Sequence, residues 1–261
     1  MKHQRKWVVS FSGGICSYFA AKLTIERYGA ANVVLLFADT NYEDEDLYRF
    51  LAESSAKLGV PITRIADGRN PWEIFFDERF MGNSRVDLCS RILKRELLDN
   101  WCNEHCHRPT TRLVVGLSSS EKARYIRWRA RMRARGWQVE APVMAYNWGK
   151  AEMLRQLQAD WLEPPALYEE GFAHNNCGGR CVKAGQASWR LLLQKRRASY
   201  LEVEQKEAEF SSMMGKKYTI LKDRRGGTSK PMSLAEFRQR IECGELTTVG
   251  TDQGGCGCAL D

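Results

Sequence analysis

The chain has 261 residues, of which 43% are hydrophobic and 28% charged, and its formal net charge is +8. This composition is typical of an ordinary globular protein, so a disordered tail, a collagen and a membrane span are excluded. The longest apolar runs, such as residues 33–38, are far shorter than the ~18 residues that a bilayer requires, and the amino terminus lacks the apolar core of a signal peptide. We therefore expect a cytoplasmic protein that has no membrane partner.

The first half of the chain alternates short β-branched runs with longer amphipathic stretches, a pattern typical of βαβ units. The predicted strands cover residues 7–12, 33–38, 62–65, 112–117 and 142–144. The predicted helices cover residues 16–28, 43–58, 90–106 and 121–135. The sequence therefore predicts an α/β fold, a Rossmann-like, doubly wound parallel sheet, within a domain that covers residues 1–149.

The composition changes after residue 149. A helix is predicted up to Asp160, followed by a break at Pro164, a loop rich in glycine and cysteine over residues 171–185, and helices over about residues 185–212. A strand over residues 218–222 and a helix over residues 233–243, with Ser233 as its N-cap, precede a glycine-rich tail. We predict that residues 150–261 form a C-terminal helical, cysteine-containing extension.

A loop rich in glycine and serine follows the first predicted strand and opens the first predicted helix. Gly13 and Gly14 let the backbone turn sharply and approach an anion closely, and Ser12 and Ser17 add hydroxyl donors. The start of the helix adds free N–H groups and the positive end of its dipole. The spacings of a Walker loop and of a dinucleotide-binding fingerprint are absent. This loop predicts a phosphate-binding site, and the alternative is a tight strand-to-helix turn without a ligand.

The pattern SGGxxS in this loop resembles the PP-loop of the ATP pyrophosphatases. These enzymes belong to the adenine nucleotide alpha-hydrolase superfamily, which includes the phosphoadenosine phosphosulfate (PAPS) reductase family. Further segments resemble that family in the same order, and they contain Asp39 and Thr40, Cys89 and Lys94, Gly116 with Glu121 and Arg124, and Tyr168 with Cys177 and Cys181. The family usually has an aspartate before the last serine of the loop, where this chain has Cys16. The likeness spans most of residues 7–185.

The resemblance implies that the nucleotide is ATP with Mg²⁺, or PAPS, and that the fold is that of the superfamily. The implied nucleotide-binding residues are Ser12, Gly13, Gly14, Ser17, Asp39, Thr40, Gly116 and Glu121. The β- and γ-phosphates would lie in the loop, with the adenine and ribose near Asp39, Thr40 and Gly116. Lys94 and Arg124 are candidate catalytic residues because their charges would stabilise a transferring phosphoryl group.

Two of these segments have other interpretations. Asp39 and Thr40 could cap a helix, since both residue types are favoured at that position. Glu121 and Arg124 are three residues apart, so they could simply form an ion pair on the surface.

Nine cysteines make an odd count, which favours metal or redox chemistry over a framework of disulfides. Glycine-rich loops contain Cys177 and Cys181, and a second such loop contains Cys256 and Cys258. The flexible glycines of such a loop let two thiolates turn toward one ion. Thiolate ligands suit zinc or an iron-sulfur cluster. The resemblance implies a [4Fe-4S] cluster held by Cys89, Cys177 and Cys181, with a possible fourth ligand from the tail.

Two alternatives stay open for the cysteines: a thiol–disulfide role for the tail, in which Cys258 would be a catalytic nucleophile, and reduced structural thiols. Cys102, His105, Cys106 and His107 form a separate cluster at the end of one predicted helix. We expect packing there rather than zinc ligation.

The basic residues are concentrated in one segment. Residues 122–135, from Lys122 to Arg135, contain one Lys, six Arg and no acid. Tyr125, Trp128 and Met132 form a stripe at helical spacing that would face the core. The arginines then cover the remaining surface, which favours contact with a nucleic acid or a polyphosphate. The alternative is a solvated surface helix.

These observations lead to a first hypothesis, a PP-loop enzyme of the PAPS reductase family. It would release pyrophosphate from ATP by adenylating an acceptor, a nucleic acid or nucleobase, and would support transfer of sulfur from a sulfur donor through the cysteine site. The second hypothesis is a PAPS reductase that forms sulfite with a thioredoxin-like protein as its partner. The third is a non-catalytic protein that binds nucleic acid on a degenerate nucleotide fold.

Overall fold

The computed structural model describes residues 4–82 and 86–246, and within these ranges five parallel strands form the central sheet. The strands are β1 (Lys6–Ser10), β2 (Val33–Asp39), β3 (Ile62–Ala66), β4 (Thr111–Val115) and β5 (Gln138–Glu140). They lie in the order β3-β2-β1-β4-β5 and every pair is parallel. Along the chain, β2 and β3 are added on one side of β1, and β4 and β5 are then added on its other side. The predicted Rossmann-like, doubly wound α/β fold is confirmed.

Helices cover both faces of the sheet. Three of them pack on the face that buries Val9 and Leu35: α1 (Ile15–Tyr28), α2 (Glu45–Leu58) and α7 (Lys150–Ala159). The opposite face buries Val8 and Leu36 and is covered by α5 (Leu97–His105) and α6 (Lys122–Ala134). Since side chains alternate along a strand and both faces are buried, β1 and β2 are apolar along most of their length.

The sequence prediction was wrong at the fifth strand and missed one helix. Residues 142–144 do not form a strand, because Pro142 begins a 3₁₀ turn and lacks the N–H that a central strand donates. Helix α3 (Pro71–Asp77) was not among the predicted elements. Proline is favoured at the first position of a helix, and Asn70 caps α3 by accepting hydrogen bonds from the N–H groups of Trp72 and Glu73.

A nearly continuous helical segment precedes α5. It consists of the short helix α4 (Leu88–Ser90) and a π-helical turn (Arg91–Glu96), which leads directly into α5. The predicted helix over residues 90–106 therefore exists, but its first part is wound more widely than an α-helix.

The C-terminal part is helical, as predicted. It contains α8 (Ala166–Glu169), α9 (Gln186–Lys195), α10 (Arg197–Met213), α11 (Leu234–Glu242) and a hairpin of β6 (Leu221–Asp223) and β7 (Lys230–Met232). Ser233 caps α11, as expected, by accepting a hydrogen bond from the N–H of Glu236 at 3.2 Å. A large apolar cluster joins this part to α3, whereas α7 packs on the sheet. The division at residue 149 stays a prediction.

Within the described ranges, no helix combines the length and the apolar character needed to cross a lipid bilayer.

A buried carboxylate connects α10 to the C-terminal hairpin and α11. Glu207 is 2% exposed, and its two oxygens accept hydrogen bonds from the backbone N–H groups of Ile220 and Leu234, each at 2.7 Å. Burial raises the pKa of Glu207 to about 7. Each oxygen satisfies a backbone donor that would otherwise lack a partner inside the protein.

Replacing this carboxylate tests its role. We expect Glu207→Gln to lower the free energy of unfolding by about 1–3 kcal/mol, because the new amide NH₂ faces a backbone N–H and leaves it unpaired. Urea-induced unfolding measures the change. The matched control is Glu209→Gln on the same helix, where the carboxylate is exposed and pairs with Lys206, and its effect should be much smaller than that of Glu207→Gln. Equal unfolding midpoints for the two variants would contradict the assignment.

The same residue predicts a dependence on pH. The pKa of Glu207 in the fold is about 7, above its ordinary value of 4.5, so the folded state holds the proton more tightly than the unfolded state. The stabilisation linked to this proton is fully present below pH 4.5 and is lost as the pH rises through about 7. Unfolding curves at several pH values should therefore show a larger gap between the wild type and Glu207→Gln on the acidic side of this window.

Candidate functional site

A cavity of about 380 Å³ opens at the carboxyl ends of β1 and β4. These strands are neighbours at the point where the strand order reverses. On one side of β1 lie β2 and β3, and on its other side lie β4 and β5. Open parallel sheets bind ligands in the crevice outside such a switch point. The cavity is thus placed where the topology favours a binding site.

Predicted and unpredicted residues together line this cavity. The predicted ones are Ser12, Gly14, Ser17, Lys94, Gly116, Glu121 and Arg124. Sequence reasoning missed Lys150, His174, Asn175 and Asn176 as site residues, and it noted Tyr168 only as part of a resembling segment. Their positions follow from the packing of α7 and of the loop after α8 onto the sheet, and no local motif marks them.

The loop after β1 is fixed by two glycines. Gly13 has φ +74°, and a Cβ added there would lie 2.8 Å from Cγ of Leu47, so a larger residue would be strained and would clash. Gly14 is the N-cap of α1, and its carbonyl accepts hydrogen bonds from the Ser17 hydroxyl at 2.7 Å and the Ser17 N–H at 3.0 Å. Because the first N–H groups of a helix lack acceptors within it, this end of α1 offers donors and a positive dipole end to the cavity.

Gly116 follows β4 and packs against the first turn of α1. A Cβ at this position would lie 2.5 Å from the backbone N of Ser17 and 2.6 Å from the carbonyl C and O of Cys16. The glycine therefore permits a close contact between two backbones and sets the spacing of the cavity floor. The predicted contact of Gly116 with the nucleotide stays a prediction, and the structure adds this packing role.

Cationic side chains reach the cavity from three elements in the described part of the chain. Lys94 lies on the π-helical turn, Arg124 on α6 and Lys150 at the start of α7. The Lys150 ammonium donates to the carbonyl of Phe172 at 2.7 Å and lies 4.6 Å from the centre of the Tyr168 ring. Burial lowers the pKa of Lys150. The site is thus suited to an anionic ligand.

The predicted ion pair of Glu121 and Arg124 is present. Arg124 Nη1 lies 2.8 Å from Glu121 Oε1, and both residues line the cavity. Glu121 also accepts a hydrogen bond from the Ser118 N–H at 3.2 Å, which closes a capping box before α6. The pair therefore belongs to the wall of the cavity and is not an isolated surface contact.

Buried Glu43 holds Lys94 in place. Its Oε1 accepts hydrogen bonds from the Lys94 ammonium and the Thr40 hydroxyl, both at 3.0 Å, and its Oε2 accepts one from the N–H of Cys177 at 2.6 Å. Glu43 thus connects three segments that the sequence analysis treated separately. Glu43 is buried only because distant segments pack around it, so the sequence near Glu43 gave no sign of this role.

Asp39 and Thr40 lie beside the cavity and are not among the residues that line it. Asp39 is fully buried at the end of β2, where Oδ1 accepts hydrogen bonds from Tyr48 Oη at 2.9 Å and the Asn41 N–H at 2.8 Å. Arg64 Nη2 lies 2.8 Å from Asp39 Oδ2. The N-cap of α2 is Asp44, so Asp39 does not cap that helix. Nucleotide contact by Asp39 and Thr40 stays a prediction.

Cys16 lines the cavity at the position where the resembling family has an aspartate. Burial and the nearby Glu121 carboxylate raise the pKa of its thiol to about 12. The side chain is therefore neutral at pH 7 and supplies no negative charge for a cation.

The predicted cysteine site has no support among the described residues. Within residues 4–82 and 86–246, no three His, Cys, Asp or Glu side chains are grouped so that they could hold a metal ion. Cys177 belongs to an apolar cluster, and Cys89 and Cys181 pack against the same cluster. Cys256 and Cys258 lie outside the described residues. Zinc or a [4Fe-4S] cluster held by Cys89, Cys177 and Cys181 is therefore not supported, because these side chains pack with apolar neighbours.

Helix α6 places the basic segment next to the cavity. Trp128 and Met132 are buried and Tyr125 packs against the same cluster, which confirms the predicted apolar stripe. The exposed side chains include Arg127, Arg131 and Arg133. Since Arg124 on the first turn lines the cavity, the positive surface of α6 is continuous with the site.

The backbone contact at Gly116 can be tested by adding one methyl group. We expect Gly116→Ala to lower the free energy of unfolding by about 1–3 kcal/mol, because the Cβ would overlap the backbone of Cys16 and Ser17. Gly149→Ala is the matched control, since a Cβ there meets nothing within 4 Å and its φ is −79°. Its effect should stay below about 1 kcal/mol. Chemical denaturation that shows equal losses for both variants would argue against the contact.

Comparison with known proteins finds similar solved structures but no matching family model. No protein-family model matches this chain. No curated protein matches it either. Among solved structures, a phosphoadenylyl-sulfate (PAPS) reductase from Candida auris, in a phosphate complex, is similar at 15% identity and a TM-score of 0.45, covering 66% of this chain and 79% of that one. An NH₃-dependent NAD synthetase from Campylobacter jejuni subsp. jejuni, in complex with nitrate, is similar at 13% identity and a TM-score of 0.41. This match covers 95% of this chain and 90% of the synthetase chain. The fold assignment rests on the strand order and parallel pairing of this chain.

Proposed function

We propose that this chain is a PP-loop enzyme that binds ATP in the cavity and transfers its adenylyl group to an acceptor, releasing pyrophosphate. The observation that supports this most directly is the loop of residues 12–17, which lies at the start of α1 and at the switch point of the sheet. A helix N-terminus at the end of a parallel strand is a favourable site for a phosphate group.

The dimensions and lining of the cavity agree with a nucleotide. Its volume of about 380 Å³ lies in the range of small-molecule sites. Leu36, Phe37 and Leu98 give it an apolar wall against which a base can pack, and Lys94, Arg124 and Lys150 give it positive charge. A ligand with an apolar ring system and several negative charges satisfies both surfaces.

The reaction is an in-line displacement at the α-phosphorus. An oxygen of the acceptor attacks this atom, the bond to the bridging α–β oxygen breaks, and pyrophosphate leaves with the electron pair. Lys94 and Arg124 stabilise the negative charge that develops on the transferring phosphoryl group. Lys94 can do this without reorganising because Glu43 fixes its ammonium group.

Magnesium normally accompanies ATP and is bound through one or two carboxylates together with the phosphates. Glu121 is the carboxylate among the described residues that line the cavity, so it would hold this ion. Magnesium would supply charge neutralisation for the phosphates. The neutral thiol of Cys16 cannot take part in this role.

The acceptor that agrees best with the surface is a nucleic acid. Its phosphates can lie along the exposed arginines of α6 while one nucleotide reaches the cavity at the start of that helix. We limit the proposal to adenylyl transfer, because the described residues contain no group of three metal-ligating side chains that could hold a sulfur carrier.

The catalytic proposal is tested with labelled ATP, Mg²⁺ and candidate RNA or DNA acceptors, by following the release of pyrophosphate. We expect Arg124→Gln to lower the rate by about 10²-fold, because it removes charge that stabilises the transition state. The matched control is Arg155→Gln: Arg155 also pairs with a glutamate three residues earlier on a helix, but its side chain is 73% exposed and is not among those that line the cavity. Calorimetry that detects no binding of ATP or AMP to the wild type would overturn the proposal.

The nucleic-acid surface is tested separately, by anisotropy of a labelled oligonucleotide at several salt concentrations. We expect the triple variant Arg127→Gln, Arg131→Gln, Arg133→Gln to bind more weakly, with a salt slope smaller by about 2–3, because three phosphate contacts are lost. A control triple variant, Lys222→Gln, Arg224→Gln, Lys230→Gln, removes the same charge from exposed positions around the C-terminal hairpin. Equal affinities for the two triple variants would show that only net charge matters.

A further inference from the structure

Cys102 and Cys106 form a pair of thiols at the carboxyl end of α5. The helix ends at His105, and the backbone of Cys106 is extended, with φ −124° and ψ 140°, while its N–H still donates to the Cys102 carbonyl at 3.0 Å. Both side chains contact one apolar cluster, and the interaction between the two thiols is the largest influence on the pKa of each. The two sulfur atoms are therefore already neighbours in the reduced protein.

The two thiols have different surroundings. Cys102 is 5% exposed and belongs to the apolar cluster under the sheet, whereas Cys106 packs against that cluster and is only partly buried. The interaction with Cys102 lowers the pKa of Cys106 to about 7 against the effect of burial, with help from Lys6, the Thr111 hydroxyl and His105. The same interaction and burial raise the pKa of Cys102. The nearby charge of Asp99 raises this pKa further, and that of Arg135 lowers it.

This asymmetry assigns a chemical role to each sulfur. Cys106 is the more exposed sulfur and its pKa is lowered, so it is the nucleophile, because the thiolate is the reactive form. Cys102 keeps its proton and lies within reach as the second thiol. Residues four apart on a helix have Cα atoms separated by about 6 Å, within the range that a disulfide can bridge.

The pair is remote from the cavity. Lys6 and Thr111 are the first residues of β1 and β4, so the thiols lie at the amino end of these strands, and the cavity lies at their carboxyl end. In the described ranges, no third ligand joins the two thiols to form a metal site. The proposed adenylyl transfer leaves both residues unused.

We propose that Cys102 and Cys106 are an oxidation site at which a hydroperoxide converts the two thiols into a disulfide. The Cys106 thiolate attacks the terminal peroxide oxygen, the O–O bond breaks, and the alcohol or water leaves with one proton, giving a sulfenic acid on Cys106. The Cys102 sulfur then attacks this sulfur, the S–O bond breaks, and water leaves with the Cys102 proton. The peroxide gains the two electrons that the thiol pair loses.

The test uses the reduced full-length protein treated with hydrogen peroxide, then with iodoacetamide and trypsin. No Lys or Arg lies between the two cysteines, and the bond after Arg108 is not cleaved because a proline follows, so both cysteines lie in the peptide of residues 96–112. We expect this peptide to lose two hydrogens and to carry no alkyl group at either cysteine. Without peroxide, the rate of alkylation of Cys106 should rise with pH to a midpoint near 7.

Two variants separate the roles of the sulfurs. In Cys102→Ser, oxidation should stop at a sulfenic acid on Cys106 that a dione reagent traps, and in Cys106→Ser the buried Cys102 should stay reduced. Cys16 is an internal reference, because its thiol pKa of about 12 keeps it protonated in the same sample. Recovery of the wild-type peptide with both cysteines alkylated after excess peroxide would overturn the proposal. That measurement needs no variant, so it holds even if a substitution disturbs folding.

Discussion

Gly116 meets the backbone of Cys16 and Ser17 directly, and the geometry of the candidate site depends on this contact. The end of β4 can approach the first turn of α1 only where no side chain intervenes, since a Cβ would lie 2.5 Å from the Ser17 nitrogen. Gly13 has the same function on the other side of the loop, where Leu47 of α2 fills the space. The loop of residues 12–17 is therefore held by packing of the core, so the shape of the cavity is set before any ligand binds.

A buried carboxylate connects the charges around this loop to the C-terminal part of the chain. Glu43 binds Lys94 with one oxygen and the N–H of Cys177 with the other, so the ammonium group and the cysteine loop share one buried carboxylate. Asn175 of that loop also donates a hydrogen bond to the Gly13 carbonyl at 3.3 Å. A movement of the cysteine loop would therefore disturb both the phosphate loop and the cation. This coupling gives the cysteine loop a structural role at the site that does not depend on metal binding.

Sequence reasoning succeeded where local chemistry determines the structure. The strands β1 and β2 could be recognised by their apolar runs, because burial on both faces allows few polar residues. The glycines of the loop at residues 12–17 could be recognised because a turn with positive φ favours glycine. The fifth strand could not be located, since Gln138–Glu140 has only three residues, none of them fully buried. Lys150 was missed, and Tyr168 was noted only as part of a resembling segment, because folding brings both from more than 130 residues away to the loop after β1. Asp39 and Thr40 were placed at the correct strand end, but the direction of a side chain depends on partners such as Tyr48 that the motif does not include.

The parallel topology has an electrostatic consequence that no single residue in the motif shows. A helix that follows a parallel strand begins at the carboxyl edge of the sheet, and here residues at the starts of α1, α6 and α7 all line the cavity. Each helix has at least ten residues, so each has its positive dipole end near the same space. This contribution adds to the charges of Lys94, Arg124 and Lys150 and does not change with pH. It explains why the site can favour an anion although Glu43 and Glu121 each neutralise one of these cations.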